Sequence, residues 1–266
     1  MKKFFYLFAI ICSVCMFSAC SDDDDKKEEF QETKSALVGT WNVEETQMKD
    51  EGLYDGSVKM TWDVPAGTSI GVDMGFGTPI PMDINETIVP LVCNLANSFL
   101  PQVLKSVTFD KNGNITAMYR ETDGSDDDGS LVFKGDWQTA TGYATYQVVG
   151  DNLIKVYLNA DKIIKAGEDS EDKQMLQNIL QQFGEGFPIN VRWNADKSKA
   201  YFFVDKAFVT PAINTLNKFI ESIPESSLDE DDLATFNMLK AIITQLPDIM
   251  NQTKTFEAGI ELERQK

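Results

Sequence analysis

The sequence predicts a mainly β domain with added helices, on three observations. Apolar and polar residues alternate at period two in several short runs. Neighbouring runs close into hairpins whose apolar faces match in only one register. Four longer stretches carry apolar residues at helical spacing, bounded by prolines and capping residues.

Taken in order, the first strand is predicted within Ala36–Glu45, where a polar leader gives way to Leu37-Val38-Gly39-Thr40-Trp41. Val58, Met60, Trp62 and Val64 then alternate with Lys59, Thr61 and Asp63, the pattern of a half-buried strand. Ile70, Val72, Met74 and Phe76 alternate with Gly71, Asp73, Gly75 and Gly77, so this run is predicted to be a bent, weakened strand. Pro79 and Pro81 interrupt sheet pairing after it. Pro90–Leu100 carries Leu91, Leu95 and Phe99 at helical spacing.

Two hairpins follow whose register can be derived. A three-residue loop, Lys111–Gly113, sets Phe109 opposite Ile115 and Val107 opposite Ala117, whereas a two-residue loop would oppose apolar and polar side chains. The loop Gly150–Asn152 likewise pairs Ala144 with Leu158, Tyr146 with Val156 and Val148 with Ile154. A third hairpin is predicted over Ile189–Val204, turning near Asn194–Lys197. The closing strand is Thr255–Glu263, with Phe256, Ala258, Ile260 and Leu262 on one face. Helices are predicted over Glu171–Phe183, from a Thr210 cap to Pro224, and from a Ser227/Glu230 capping box to Pro247. The helical insertions therefore fall near 84–104, 171–184 and 210–247.

Residues 1–19 read as a signal peptide: Lys2 and Lys3 precede an apolar run, Phe4–Phe17, too short for an ordinary membrane span. The ending Phe17-Ser18-Ala19-Cys20 resembles the bacterial lipobox, which implies that Cys20 is lipidated and becomes the mature N-terminus. Ser21, Asp22, Asp23, Asp24 and Asp25 directly after it resemble the acidic export signal of Bacteroidota surface lipoproteins. The resemblance implies an outer-membrane lipoprotein displayed on the outer leaflet and held by its lipid anchor. Residues 20–35 are expected to be a disordered acidic tether, followed by a single domain over 36–266. Cys12 and Cys15 leave with the signal and Cys20 is acylated, so Cys93 has no disulfide partner.

Composition narrows the function classes. The formal charge is −18, and loss of Lys2 and Lys3 with the leader takes it to about −20, which argues against nucleic acid as a partner. The absence of histidine excludes a Ser-His-Asp triad, a Cys-His pair and any His-ligated metal. No catalytic motif, metal-ligand cluster or cofactor fingerprint is present in the sequence, so a non-enzymatic protein without cofactor is expected. A paired-carboxylate hydrolase stays open as a formal alternative, because the 42 acidic residues single out no pair.

Gly39-Thr40-Trp41 near the start of the first strand resembles the glycine-x-tryptophan signature of the lipocalin (calycin) superfamily. Trp137, Tyr143–Val148 and Asp151–Val156 resemble the middle strands of lipocalin-like lipoproteins of Bacteroidota, many of them without assigned function. The resemblance implies a lipocalin-like antiparallel up-and-down β-barrel with helical insertions, in which Trp41 packs across the closed end. Lipocalins are shorter and carry one main helix, so the further helices and the Gly-rich run depart from that pattern.

A barrel of this kind can hold a small apolar or amphipathic ligand. Trp62, Phe76, Tyr146 and Trp193 are the aromatic residues that could line such a pocket, set against the ordinary role of large rings as core. The alternative is a structural or interaction protein contacting a glycan, an envelope component or a host protein. The loop Asp123–Gly129 lacks the spacing of a calcium loop and is expected to be solvated, and Cys93 is expected to be a small buried residue.

Overall fold

A computed structural model describes residues 35–48, 53–72, 78–125, 131–133, 135–166, 186–223 and 230–266. Cys20, the acidic run 21–25, Phe76, residues 126–129 and the helix expected over 171–184 lie outside the described residues.

The main sheet is a closed eight-stranded antiparallel barrel. Its strands are β1 (Gly39–Val43), β7 (Leu104–Phe109), β8 (Asn114–Tyr119), β11 (Gln138–Gly150), β12 (Leu153–Leu158), β13 (Phe187–Trp193), β14 (Lys199–Asp205) and β15 (Thr255–Arg264). They are hydrogen-bonded in that order, and β15 closes the ring on β1 with Trp41 opposite Arg264 and Val43 opposite Leu262. β4 (Val58–Asp63) pairs along β15 as an edge strand. The remaining strands form two-stranded ribbons: β2 (Gln47–Met48) with β3 (Tyr54–Asp55), β5 (Ser69–Val72) with β6 (Ile80–Asp83), and β9 (Thr122–Ser125) with β10 (Leu131–Phe133).

Among the described residues the helices are α1 (Val89–Val103), entered through a π-helical turn at Ile84–Ile88, α2 (Ala160–Ala166), α3 (Lys206–Ser222) and α4 (Glu230–Gln252). Asp83 caps the π turn, its carboxylate accepting from the N–H groups of Asn85 at 2.8 Å and Glu86 at 2.9 Å.

The hairpin registers agree with the sequence. Phe109 faces Ile115 and Val107 faces Ala117, and Gly113 takes the left-handed conformation, φ 78°, that ends the three-residue loop. Ala144, Tyr146 and Val148 face Leu158, Val156 and Ile154. In the third hairpin Val191 faces Phe202.

Two helix boundaries differ from expectation. α3 starts at Lys206, directly after β14, because the Asp205 carboxylate caps Phe208 N–H at 3.1 Å. Thr210 and Pro211 therefore sit inside the helix, with the Thr210 hydroxyl donating to Lys206 C=O. α4 runs through Pro247 to Gln252, where Ile249 and Met250 beyond the proline are buried and hold the last turn in place.

The chain clusters into two compact units, each with its own core. One consists of 35–58, 96–203 and 259–266 and contains most of the barrel. Its apolar cluster takes at least one buried residue from every barrel strand, with Leu37 and Leu100 added. The other consists of Lys59–Leu95 and Val204–Ala258, where Trp62, Ile70, Ile84, Ile249, Met250 and Phe256 pack together. A smaller cluster in that unit joins Ile220, Phe236 and Ile243 from α3 and α4.

Candidate functional site

The first strand fixes the best-defined constellation. Trp41 is fully buried, 0 % exposed, and its indole N–H donates to Leu37 C=O at 2.8 Å. Register places Arg264 across from it, with the guanidinium 5.0 Å from the indole centroid. The same guanidinium donates to the carbonyls of Ala36 and, at 2.9 Å, Val38. Gly39 lies under it with φ 144°, and the guanidinium stands 3.7 Å from where a side-chain carbon would project. Gly39 and Trp41 thus both pack against the Arg264 guanidinium. Arg264 was not singled out from the sequence; its place on the same ladder as Trp41 emerges only once β15 closes on β1.

Aromatic rings cross the barrel interior from there. Trp193 tilts against Trp41 at 5.7 Å, and Phe202 meets Trp41 edge-on at 6.1 Å. Phe109 stacks on Phe202 at 5.5 Å, and Tyr146 meets Phe109 edge-on at 5.2 Å. The Tyr146 hydroxyl donates to Asp110 C=O at 2.6 Å. Burial, reinforced by the negative charge of Asp110, pushes this phenol up to about 12. The Trp193 indole donates to Asp151 C=O at 3.3 Å.

Trp62 belongs to the other unit. It is buried against Phe256, edge-on at 5.3 Å, and its N–H donates to the Thr253 hydroxyl at 2.9 Å. The residues nominated for a ligand pocket are placed as follows. Tyr146 and Trp193 share the aromatic row in the barrel, Trp62 packs in a separate core, and Phe76 lies outside the described residues.

Polar side chains are used to cap exposed backbone. Asn97, only 2 % exposed, accepts from Val58 N–H at 2.7 Å and donates to Val58 C=O at 3.1 Å. One turn earlier on α1, the half-buried Cys93 thiol takes the N–H of Met60; burial raises its pKa, countered by Lys59 and by that hydrogen bond. On α4, Gln245 treats Gly71 of β5 in the same way, accepting from its N–H at 2.8 Å and donating to its C=O at 3.0 Å.

The barrel rim carries one ion pair of note. Lys199 bonds to Glu44, and with Glu261 and Glu263 nearby its pKa is raised, first by the Glu44 hydrogen bond. Among the described residues no group of three or more Asp, Glu, Cys or His side chains is placed to hold a metal. Exposed large apolar side chains are Leu91, Val92 and Leu95 on α1, Ile80 on β6, Met48 and Leu53 on and beside the β2–β3 ribbon, and Val149 on β11, among the described residues. No family model, curated protein or solved structure matches the chain.

Proposed function

We propose that the chain is a non-enzymatic lipoprotein of the outer-membrane surface, tethered through lipid on Cys20, whose lipocalin-like barrel is a packed scaffold that acts by contact through its outside. The observation that supports this reading is the fate of the inward-facing rings. Trp41, Phe109, Tyr146 and Phe202 touch one another within one apolar cluster fed by all eight barrel strands, and Trp193 leans on the same row. Their polar atoms are satisfied internally, as at Trp41 with Leu37 and Tyr146 with Asp110. Leucine and valine side chains, by contrast, stand in solvent on α1.

A second reading, a barrel that carries one small apolar or amphipathic molecule, draws on the eight-strand closure itself, since barrels of that size can hold such a ligand. Native mass spectrometry with solvent extraction of the purified full chain separates the two. The packed scaffold predicts the mass of the lipidated chain alone, and a stoichiometric small molecule released on extraction would establish the carrier instead. Protease shaving of intact cells tests display: digestion is expected, and complete protection would refute a surface location.

A further inference from the structure

The turn between β7 and β8 holds a chemically reactive pair of residues. Asn112 is followed by Gly113, and no other asparagine in the chain precedes a glycine. An asparagine amide can be attacked by the backbone nitrogen of the next residue, which closes a five-membered imide. A side chain on that next residue hinders the approach, and glycine has none. Asn112 is also exposed, so water and hydroxide reach its amide. Asparagines at the other hairpin turns lack this combination: Asn114 precedes the β-branched Ile115, and Asn152 and Asn194 precede Leu153 and Ala195.

In the closed turn the nucleophile is held away from its target. Gly113 N–H donates to Asp110 C=O at 3.2 Å, and Gly113 C=O accepts from Tyr146 N–H at 2.6 Å. The Asp110 carboxylate accepts from the N–H groups of Asn112 and Asn114, each at 2.8 Å, and from the Asn114 side-chain amide at 2.7 Å. The Tyr146 hydroxyl fastens the same corner through Asp110 C=O at 2.6 Å. For Gly113 N to meet the Asn112 side chain, the turn must first open locally.

We propose that Asn112 is a site of spontaneous deamidation, and that Asp110 and Tyr146 set its rate by holding the turn shut. The reaction balances on water alone. Hydroxide takes the proton of Gly113 N–H, the nitrogen bonds to Asn112 Cγ, and the amide nitrogen leaves as ammonia. Water then opens the imide at one of its two carbonyls. One opening leaves aspartate; the other leaves isoaspartate, whose backbone runs through Cβ and Cγ. Either product replaces a neutral amide by a carboxylate and makes the chain more acidic by one charge. Isoaspartate also adds one atom to the backbone of a loop whose length sets Phe109 opposite Ile115. The assignment is independent of what the outside of the barrel contacts.

Peptide mass spectrometry of the purified full chain, kept folded in warm, mildly alkaline buffer, tests this. The peptide holding Asn112 is expected to gain about 1 Da, with isoaspartate among the products, ahead of every other asparagine. The same chain in urea, where the turn is open, should convert about tenfold faster or more. Asp110→Ala removes three bonds from the loop and should speed conversion in the folded chain by about tenfold. Tyr146→Phe removes one and should speed it by about threefold. Asn112→Gln, whose longer side chain closes the ring poorly, should leave the peptide mass unchanged. Circular dichroism identifies variants that have lost the fold.

An Asn112 that keeps its amide both in the folded chain and in urea would overturn the site. Conversion as fast folded as in urea would overturn the control by the turn. So would folded Asp110→Ala and Tyr146→Phe chains that convert no faster than the unaltered one. A folded Asp110→Ala chain that converts more slowly overturns it too, since the carboxylate would then be serving as the base. Should neither variant fold, the comparison of the folded chain with the chain in urea still decides.

Discussion

At the scale of single residues, arginine is used as an aromatic partner throughout. The chain has three arginines, and each stacks on rings: Arg120 on Trp137, Arg192 on Tyr201 and Phe203, Arg264 on Trp41. Guanidinium is planar and weakly hydrated, so it can cover a ring and donate in its plane together, which ammonium cannot. Arg264→Lys is accordingly expected to lose the stacking and one of the carbonyl bonds to Ala36 and Val38. The cost should be about 1–3 kcal/mol, read from the denaturant midpoint; an unchanged midpoint would refute the role. Tyr146 makes a pH prediction. Its phenol, raised from 10.0 to about 12 in the folded chain, stays neutral where the unfolded chain has begun to ionise. The stabilisation it confers is complete below pH 10 and is lost as pH rises from 10.0 toward about 12. Tyr146→Phe should lower stability at neutral pH by about 1 kcal/mol through the lost bond to Asp110 and flatten the decline above pH 10. Denaturant titrations on both sides of that pH measure it.

At the scale of elements, β4 shows how an edge strand is finished. Its inner side meets β15 through Ser57 C=O with Glu261 N–H and Asp63 C=O with Lys254 N–H. On its outer side Val58 and Met60 meet side chains of successive turns of α1 instead of another strand, which blocks edge-to-edge pairing. Asn97→Leu leaves Val58 N–H and C=O without partners and should cost about 2–4 kcal/mol, with a matching fall in thermal midpoint. A loss within a few tenths of a kcal/mol would show that water replaces the amide. The hairpins were legible before this because their register depends on residues a few positions apart: Phe109 with Ile115, Tyr146 with Val156. Boundaries set by distant contacts were not. Pro247 reads as a stop, yet α4 continues because Ile249 and Met250 are buried against β5, β15 and the π turn's cluster. Asn97 reads as an unremarkable polar residue in an apolar helix; its purpose depends on Val58, 39 positions away. The grouping of Tyr146 with Trp193, and of Trp62 with Phe256, was not legible for the same reason, since alternation shows which rings point inward but not which of them meet.

At the scale of the whole molecule, closure of the barrel depends on one approach of backbones. A side-chain carbon on Gly259 would stand 1.9 Å from Phe202 C=O oxygen and 2.6 Å from the Phe203 α-carbon. Nothing there is a flexible side chain that could swing aside, so Gly259→Ala must push β15 from β14. The expected outcome is severe, a loss of several kcal/mol or no recoverable folded protein, because β15 is the strand that closes the ring on β1. A Gly259→Ala chain with unaltered thermal midpoint would show that the closing strand can shift without penalty. Gly71, where the nearest atom is the ring of Pro79 at 3.2 Å, is the contrasting case and should accept alanine with a far smaller loss.

The pairing of β1 with both β7 and β15 has a mechanical meaning. Tension arriving through residues 35–38 acts along β1 and shears two hydrogen-bond ladders together, whereas a strand peeled from a sheet edge gives way one bond at a time. Arg264 ties that entry to the opposite end of the domain's sequence through Ala36 and Val38, and Gln265 N–H adds a further link to Thr40 C=O at 2.8 Å. Tension entering at residues 35–38 is therefore spread into the ring of strands before it can start to unravel the first one, a strain relief at the point where a cable would meet its housing.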